Sequence, residues 1–155
     1  MIILVLLAAV LFLPRVFGIT PYAVLSGSME PTYHVGSLIY VADVEPEKIQ
    51  VGDPMTFRIS GDTLVTHRVI EKNEEEKNFR TQGDANENPD GGTVAYAAVV
   101  GKPLFTIPLL GYLAVYVGTR SGMIILGTVV AVVLILTFLP DLLLGKGKEK
   151  DGGAK

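Results

Sequence analysis

At 155 residues, with a net charge of −3 and no cysteine, the chain is one ordinary domain's worth of sequence or less, and it can form no disulfide and run no thiol chemistry. Its acidity is concentrated in the middle, where thirteen carboxylates between Glu30 and Asp90 face seven basic side chains between Lys48 and Lys102, which argues against nucleic acid as a partner. The apolar share of 49% is swollen by two runs at the ends.

The first run, MIILVLLAAVLFL at 1–13, carries no charge. Thirteen helical residues span only about 20 Å of a hydrocarbon core roughly 30 Å thick, so the expected N-terminal transmembrane helix continues through Val16 and Phe17 to Ile19. Pro14 would kink it, and Arg15 would reach toward head groups at the far interface. No basic segment precedes the run and no small-x-small pair follows it before Ser26, so it is expected to stay as an anchor rather than be cleaved as a leader.

Between the runs, SLIYVADV (37–44), DPMTFRIS (53–60), DTLVTHRVIEK (62–72) and KNFRTQGD (77–84) mix β-branched and aromatic residues and are bounded by Gly, Pro, Asp and Asn. The middle is therefore expected to be mainly β, with turns at Gly52-Asp53 and Gly61-Asp62 and a charged hairpin end at 73–77. LFTIPLLGYLAVYVG (104–118) is too hydrophobic for a surface loop, yet Pro108, Gly111 and Gly118 interrupt it. Burial in the core and contact with the bilayer surface are both open for this segment, the second favoured by Phe105, Tyr112 and Tyr116.

The second apolar run, at 122–140, opens a C-terminal transmembrane helix expected over 122–144. Lys146, Lys148 and Lys150 crowd its far end, which assigns the tail 145–155 to the cytoplasm and the domain 20–121 to the opposite side. Arg15 and Arg120 fall on that outer side and are outnumbered.

Two histidines are present. In LVTHRVI, strand alternation puts Val65, His67 and Val69 on one face, so His67 points inward and must find a partner there. His34, in PTYHVGS, has no such enclosure. Acyl transfer by a serine needs a base for the hydroxyl proton, a carboxylate to hold that base, and donors for the oxyanion. Ser28 in a Gly- and Pro-bounded turn, His67, and Asp84 and Asp90 in GDANENPDGG supply candidates, although each acid could instead close an Asx-turn. A metal site from His34, His67, Asp84 and Asp90 lacks any clustered ligand spacing, and neither a metal nor another cofactor is expected.

Taken in order behind an anchor, SGSMEP around Ser28, GSLIYV, VGDPMTFR, THRVI around His67, GDANENPD with Asp84 and Asp90, and VVGKP at 99–103 resemble type I signal peptidase, a membrane-bound serine protease family. The resemblance covers roughly residues 20–103 plus the anchor. Most bacterial members place lysine where this chain has His67, so the likeness is to the branch of archaeal, endoplasmic-reticulum and some spore-former enzymes.

That resemblance implies a compact signal-peptidase-like β domain flanked by transmembrane helices at both ends, without a large inserted β domain. It implies Ser28 as nucleophile and His67 as general base, with Asp90 preferred over Asp84 as the acid and neither dismissed. The oxyanion would be held by the Ser28 amide and the Ser26 hydroxyl. The implied substrates are signal peptides of exported preproteins, cut after small residues at the cell or endoplasmic-reticulum membrane. The implied partners are the lipid bilayer and protein-translocation machinery. Pro54, Met55 and Ala85 depart from the family's usual residues without touching a candidate catalytic group. Two other functions stay open: a non-catalytic anchored β module that binds translocated peptides, and a peptidase dedicated to a narrow set of precursors.

Overall fold

The computed structural model describes residues 9–10 and 13–144. Seven strands, β1 (Ile19–Ala23), β2 (Leu38–Ala42), β3 (Pro54–Ser60), β4 (Thr63–Asn73), β5 (Asn78–Gln82), β6 (Thr93–Ala95) and β7 (Val99–Ile107), pair antiparallel in the order β1-β2-β7-β3-β4-β5-β6. The strands anticipated from alternation are there. β7, late in the chain, pairs with β2 on one side and β3 on the other, so it joins the N-terminal β1-β2 pair to the β3–β6 meander. Register shifts at Tyr40/Val41, Thr56/Phe57 and Val69/Glu71 mark bulges, which bend a sheet where a flat one would splay its side chains.

Two apolar clusters hold the sheet. One gathers Ile49, Met55, Phe57, Val69, Phe79 and Val94 on the β3–β6 side, and Phe79 stacks on Tyr96 with ring centroids 4.8 Å apart. The other gathers Met29, Tyr33, Ile39 and Val41 on the β1-β2 side. His67 belongs with the first, its ring edge-on to Phe57 and its backbone opposite Met55. Ser28 belongs with the second, through Met29 next to it, which is buried.

Most of the expected N-terminal helix, residues 1–8 and 11–12, lies outside the described residues. Its end needs correcting: the helix covers 13–16, Gly18 takes a φ of 71°, and Ile19 opens β1 opposite Ala42. A left-handed residue cannot continue a right-handed helix, and pairing with β2 gives the Ile19 backbone its partners. The buried Tyr40 hydroxyl donates to the Val10 carbonyl at 2.9 Å, which ties the preceding segment to β2.

The segment 104–118 is not core. Leu104 to Ile107 extend β7, and the rest forms a short helix, α1 (Leu110–Val117), in which Gly111 alone is buried. After it comes α2 (Arg120–Leu144), which starts two residues before the expected 122. Thr119 accounts for the difference: its hydroxyl accepts the Gly122 amide at 3.0 Å and so caps the helix start. Among the described residues α2, over Arg120–Leu139, is the one helix long and apolar enough to cross a membrane. The chain divides into two compact units, one carrying the sheet through Val115 and the other carrying α2 from Tyr116.

Phe79→Ala removes a fully buried ring from the larger cluster and should cost about 3–5 kcal/mol. A clear drop in the denaturant midpoint of the sheet's unfolding, followed by circular dichroism in detergent, is the expected result.

Candidate active site

Ser28 opens a tight turn after Gly27, closed by the Glu30 amide on the Gly27 carbonyl at 3.0 Å and the Tyr33 amide on the Met29 carbonyl at 2.9 Å. The apolar anchors of this turn are Met29 and Tyr33, both buried, so the Ser28 side chain is held half-exposed above them. His34, on the same turn, bonds through Nδ1 to the Glu30 carboxylate and is not gathered with His67.

His67 comes from the middle of β4, whose alternation turns it inward as anticipated, with 9% of its surface exposed. Its Nε2 lies 3.1 Å from Ser28 Oγ and its Nδ1 lies 2.7 Å from Asp90 Oδ2. A carboxylate only accepts, so with Asp90 ionised the proton sits on Nδ1, and Nε2 is left with the lone pair that can receive the serine proton. Both distances fall within the reach that proton transfer requires.

Asp90 is itself held from two sides. Its amide donates to the Thr81 carbonyl at 2.9 Å, and the fully buried Thr81 hydroxyl donates to Oδ2 at 2.6 Å. Sequence reading passed over Thr81. The available signal was its position on the inward face of β5 two residues after Phe79, because a buried hydroxyl there has to find an acceptor.

Asp84 has a different partner. Arg68, on the opposite face of β4 from His67, donates through Nε at 2.7 Å and through a terminal nitrogen at 2.6 Å to the two Asp84 oxygens. The Thr32 hydroxyl donates to the same carboxylate at 2.5 Å, and Arg68 also reaches the Gly52 carbonyl at 2.7 Å. Hydrogen bonding to Arg68 holds the Asp84 carboxyl below the usual carboxylate range against the opposing effect of burial, and Asp84 in turn raises Arg68. Arg68 and Thr32 were not singled out from the sequence.

The loop from Gly83 to Asp90 lies directly on the serine turn. The Ala85 amide donates to the Ser28 carbonyl at 2.9 Å, and that carbonyl passes so close to Gly83 that a Cβ there would sit 2.6 Å from it. Glycine is required at 83 because backbone occupies the space a side chain would need. Ser26 Oγ stands 3.5 Å from Ser28 Oγ, longer than an ordinary hydroxyl bond, so the two hydroxyls are neighbours without being locked together.

A groove of about 660 Å³ is lined by Ser28 and His67 together with Val24, Leu25, Met29, Ile39 and the stretch Leu64 to Thr66. β5 pairs with β4 only from Arg68 onward, so the stretch Thr63–His67 has a ladder partner on the β3 side alone. A second cleft, of about 790 Å³ and polar, opens behind Asp90 near Arg80 and Thr93 and includes neither Ser28 nor His67.

A serine hydroxyl, an imidazole and a carboxylate bonded in series beside an apolar groove define a Ser-His-Asp site on an antiparallel sheet. The chain belongs to the signal peptidase family, peptidase S26, which matches residues 1–78, a stretch that includes Ser28 and His67 and ends before the loop with Asp84 and Asp90. It is 42% identical over 85 residues to signal peptidase I W of Bacillus subtilis (strain 168), covering 53% of this chain and 45% of that protein. It is 40% identical over 73 residues to the human signal peptidase complex catalytic subunit SEC11C, covering 44% and 38%. It is 32% identical over 103 residues to the human putative signal peptidase complex catalytic subunit SEC11B, covering 59% and 62%. The chain thus spans less than half the length of the first two relatives.

Since the folded Asp84 carboxyl titrates below its unfolded value near 3.9, the Arg68 pair stabilises the fold above that pH and is lost as pH falls through the folded value. Asp84→Asn should therefore cost roughly 1.5–3 kcal/mol at neutral pH. In thermal unfolding, the gap between wild type and variant should hold from pH 7 to 5 and shrink below about pH 4. A gap independent of pH would assign the effect to something other than this ion pair.

Proposed function

We propose that the protein is a membrane-anchored serine endopeptidase that removes signal peptides from exported preproteins, with Ser28 as nucleophile. Ser28 Oγ attacks the scissile carbonyl while His67 Nε2 takes its proton, and Asp90 steadies the imidazolium that results. The oxyanion is met by the Ser28 amide and by the Ser26 hydroxyl, which is close enough to turn toward it. His67 then returns the proton to the leaving amine, and water hydrolyses the acyl-enzyme by the same route in reverse. Asp84 takes no part in proton transfer and acts by holding the loop against the serine turn.

The observation that carries this reading is the bonded series Ser28–His67–Asp90, at 3.1 and 2.7 Å, at the edge of a groove. The one-sided edge of β4 beside that groove suits an extended peptide, which can add backbone hydrogen bonds there while its side chains enter the groove. Small residues before the cut are the preferred ones in this reading. Anchorage is by α2 and by the apolar run at the N-terminus, with the sheet on the outer side of the cell or endoplasmic-reticulum membrane and the lysine-rich tail in the cytoplasm. The names of the human relatives, catalytic subunits of a signal peptidase complex, support translocation machinery as a partner.

The test is full-length protein in detergent with a preprotein substrate, the products weighed by mass spectrometry. Ser28→Ala and His67→Ala should each lower kcat by roughly 10⁴-fold or more with the fold intact. A well-folded Ser28→Ala protein that cuts at the wild-type rate would end the proposal. The two acids separate in the same assay: Asp90→Asn should reduce kcat roughly 10²-fold or more, whereas Asp84→Asn should act chiefly on stability.

A further inference from the structure

Residues 9–10 and 13–16 are helical, and Pro14 stands in the second of these stretches. In an α-helix each carbonyl accepts the amide four residues further on, and a proline at that place has no N–H to give. The Val10 carbonyl thus lacks its helical donor, and where lipid replaces water a bare carbonyl is costly. The Tyr40 hydroxyl donates to this carbonyl, at 2.9 Å.

Tyr40 is firmly held for that purpose. It is fully buried, its ring stacks on Phe105 with centroids 4.5 Å apart, and its backbone lies opposite Pro21 on β1 and Phe105 on β7. Burial raises its hydroxyl above the ordinary tyrosine value, so the group stays protonated and remains a donor. Alternation along β2 sends its neighbours the other way: Ile39 and Val41 join Met29 and Tyr33 in the cluster on which the serine turn rests. One strand therefore carries the seat of Ser28 on one face and the attachment of the N-terminal segment on the other.

That segment has a second attachment at its base, where the Asp43 amide donates to the Gly18 carbonyl at 3.2 Å and Ile19 pairs with Ala42. A single attachment would let the segment pivot about Gly18, whose φ of 71° ends the helix. Two attachments, one on each side of Pro14, fix its direction.

We propose that Tyr40 is a positioning residue: its hydroxyl takes the place of the amide that Pro14 lacks, and through that bond it sets the direction of the N-terminal apolar segment against the strand that seats Ser28. The consequence for the reaction rests on the function proposed above, since a preprotein held in lipid has to meet Ser28 at a set height and angle.

The chain has no native cysteine, so Val10→Cys together with Glu75→Cys can be spin-labelled in full-length protein reconstituted into liposomes. Only the backbone of Val10 takes the bond, and its side chain is 39% exposed. Tyr40→Phe deletes the hydroxyl, keeps the ring, and should widen the distribution of distances between the labels roughly twofold or more. Pro14→Ala gives the Val10 carbonyl an amide of its own, so in that background Tyr40→Phe should widen the distribution less than about half as much. Equal widening in both backgrounds would mean that the hydroxyl does not stand in for the missing amide, and no widening in either would mean that the bond does not hold the segment; each overturns the proposal. For the reaction, Tyr40→Phe should lower kcat/KM roughly fivefold on a bilayer-embedded preprotein and leave cleavage of a soluble peptide in detergent unchanged. Equal loss on both substrates would assign Tyr40 to the folding of the site and defeat the positioning role. A wild-type protein that cuts neither substrate would end the proposed function, and the label distances would still decide the attachment.

Discussion

The site depends on one backbone hydrogen bond, from the Ala85 amide to the Ser28 carbonyl at 2.9 Å. Ser28 rests on the apolar cluster around Met29 and Ile39, whereas His67 rests on the separate cluster around Met55 and Val69. Packing within either cluster leaves the distance between hydroxyl and imidazole open. The loop from Gly83 to Asp90 closes it, because one end of that loop touches the serine's own backbone and the other delivers Asp90 to the far side of the histidine ring. A loop bonded to both sides holds a hydroxyl and an imidazole at a fixed distance better than two independent cores can.

The two acids of the loop divide the work by neighbourhood. Asp84 is occupied by Arg68 and Thr32, and its charge is spent within that fork. Asp90 meets Thr81 and His67 instead. Because Arg68 and His67 are consecutive on β4 and point to opposite faces, one strand supplies the partner of each acid, and the sheet separates the Arg68–Asp84 ion pair from the bonded series Ser28–His67–Asp90. The bidentate fork also binds the loop to β4, so it supports the same placement that the Ala85 bond enforces.

Much of this was legible beforehand. The strands, the inward aim of His67 and the exposed serine turn follow from alternation and from turn residues, both properties of a few adjacent residues. The lysine-flanked apolar run was equally local, and α2 differs from expectation only by the two residues that Thr119 adds as a cap. Thr81, Arg68 and Thr32 were missed because each acquires its role from a partner nine or more residues away. The segment 104–118 could be read as core or as surface, since hydrophobicity reports that a group avoids water without saying whether protein or lipid takes its place.

By itself, then, the order of amino acids determined that this is a mainly β chain with apolar ends, bearing a serine turn, an inward histidine and two nearby acids, because those features depend on periods of two to four residues. Tertiary structure alone decided which acid meets the imidazole, how far the hydroxyl stands from it, and that the apolar segment after β7 faces outward. These depend on β7 inserting between β2 and β3 and on the Gly83–Asp90 loop folding back across the serine turn. Contacts across tens of residues are set by which surfaces pack together, and that information is spread over the whole chain rather than held in any one stretch of it.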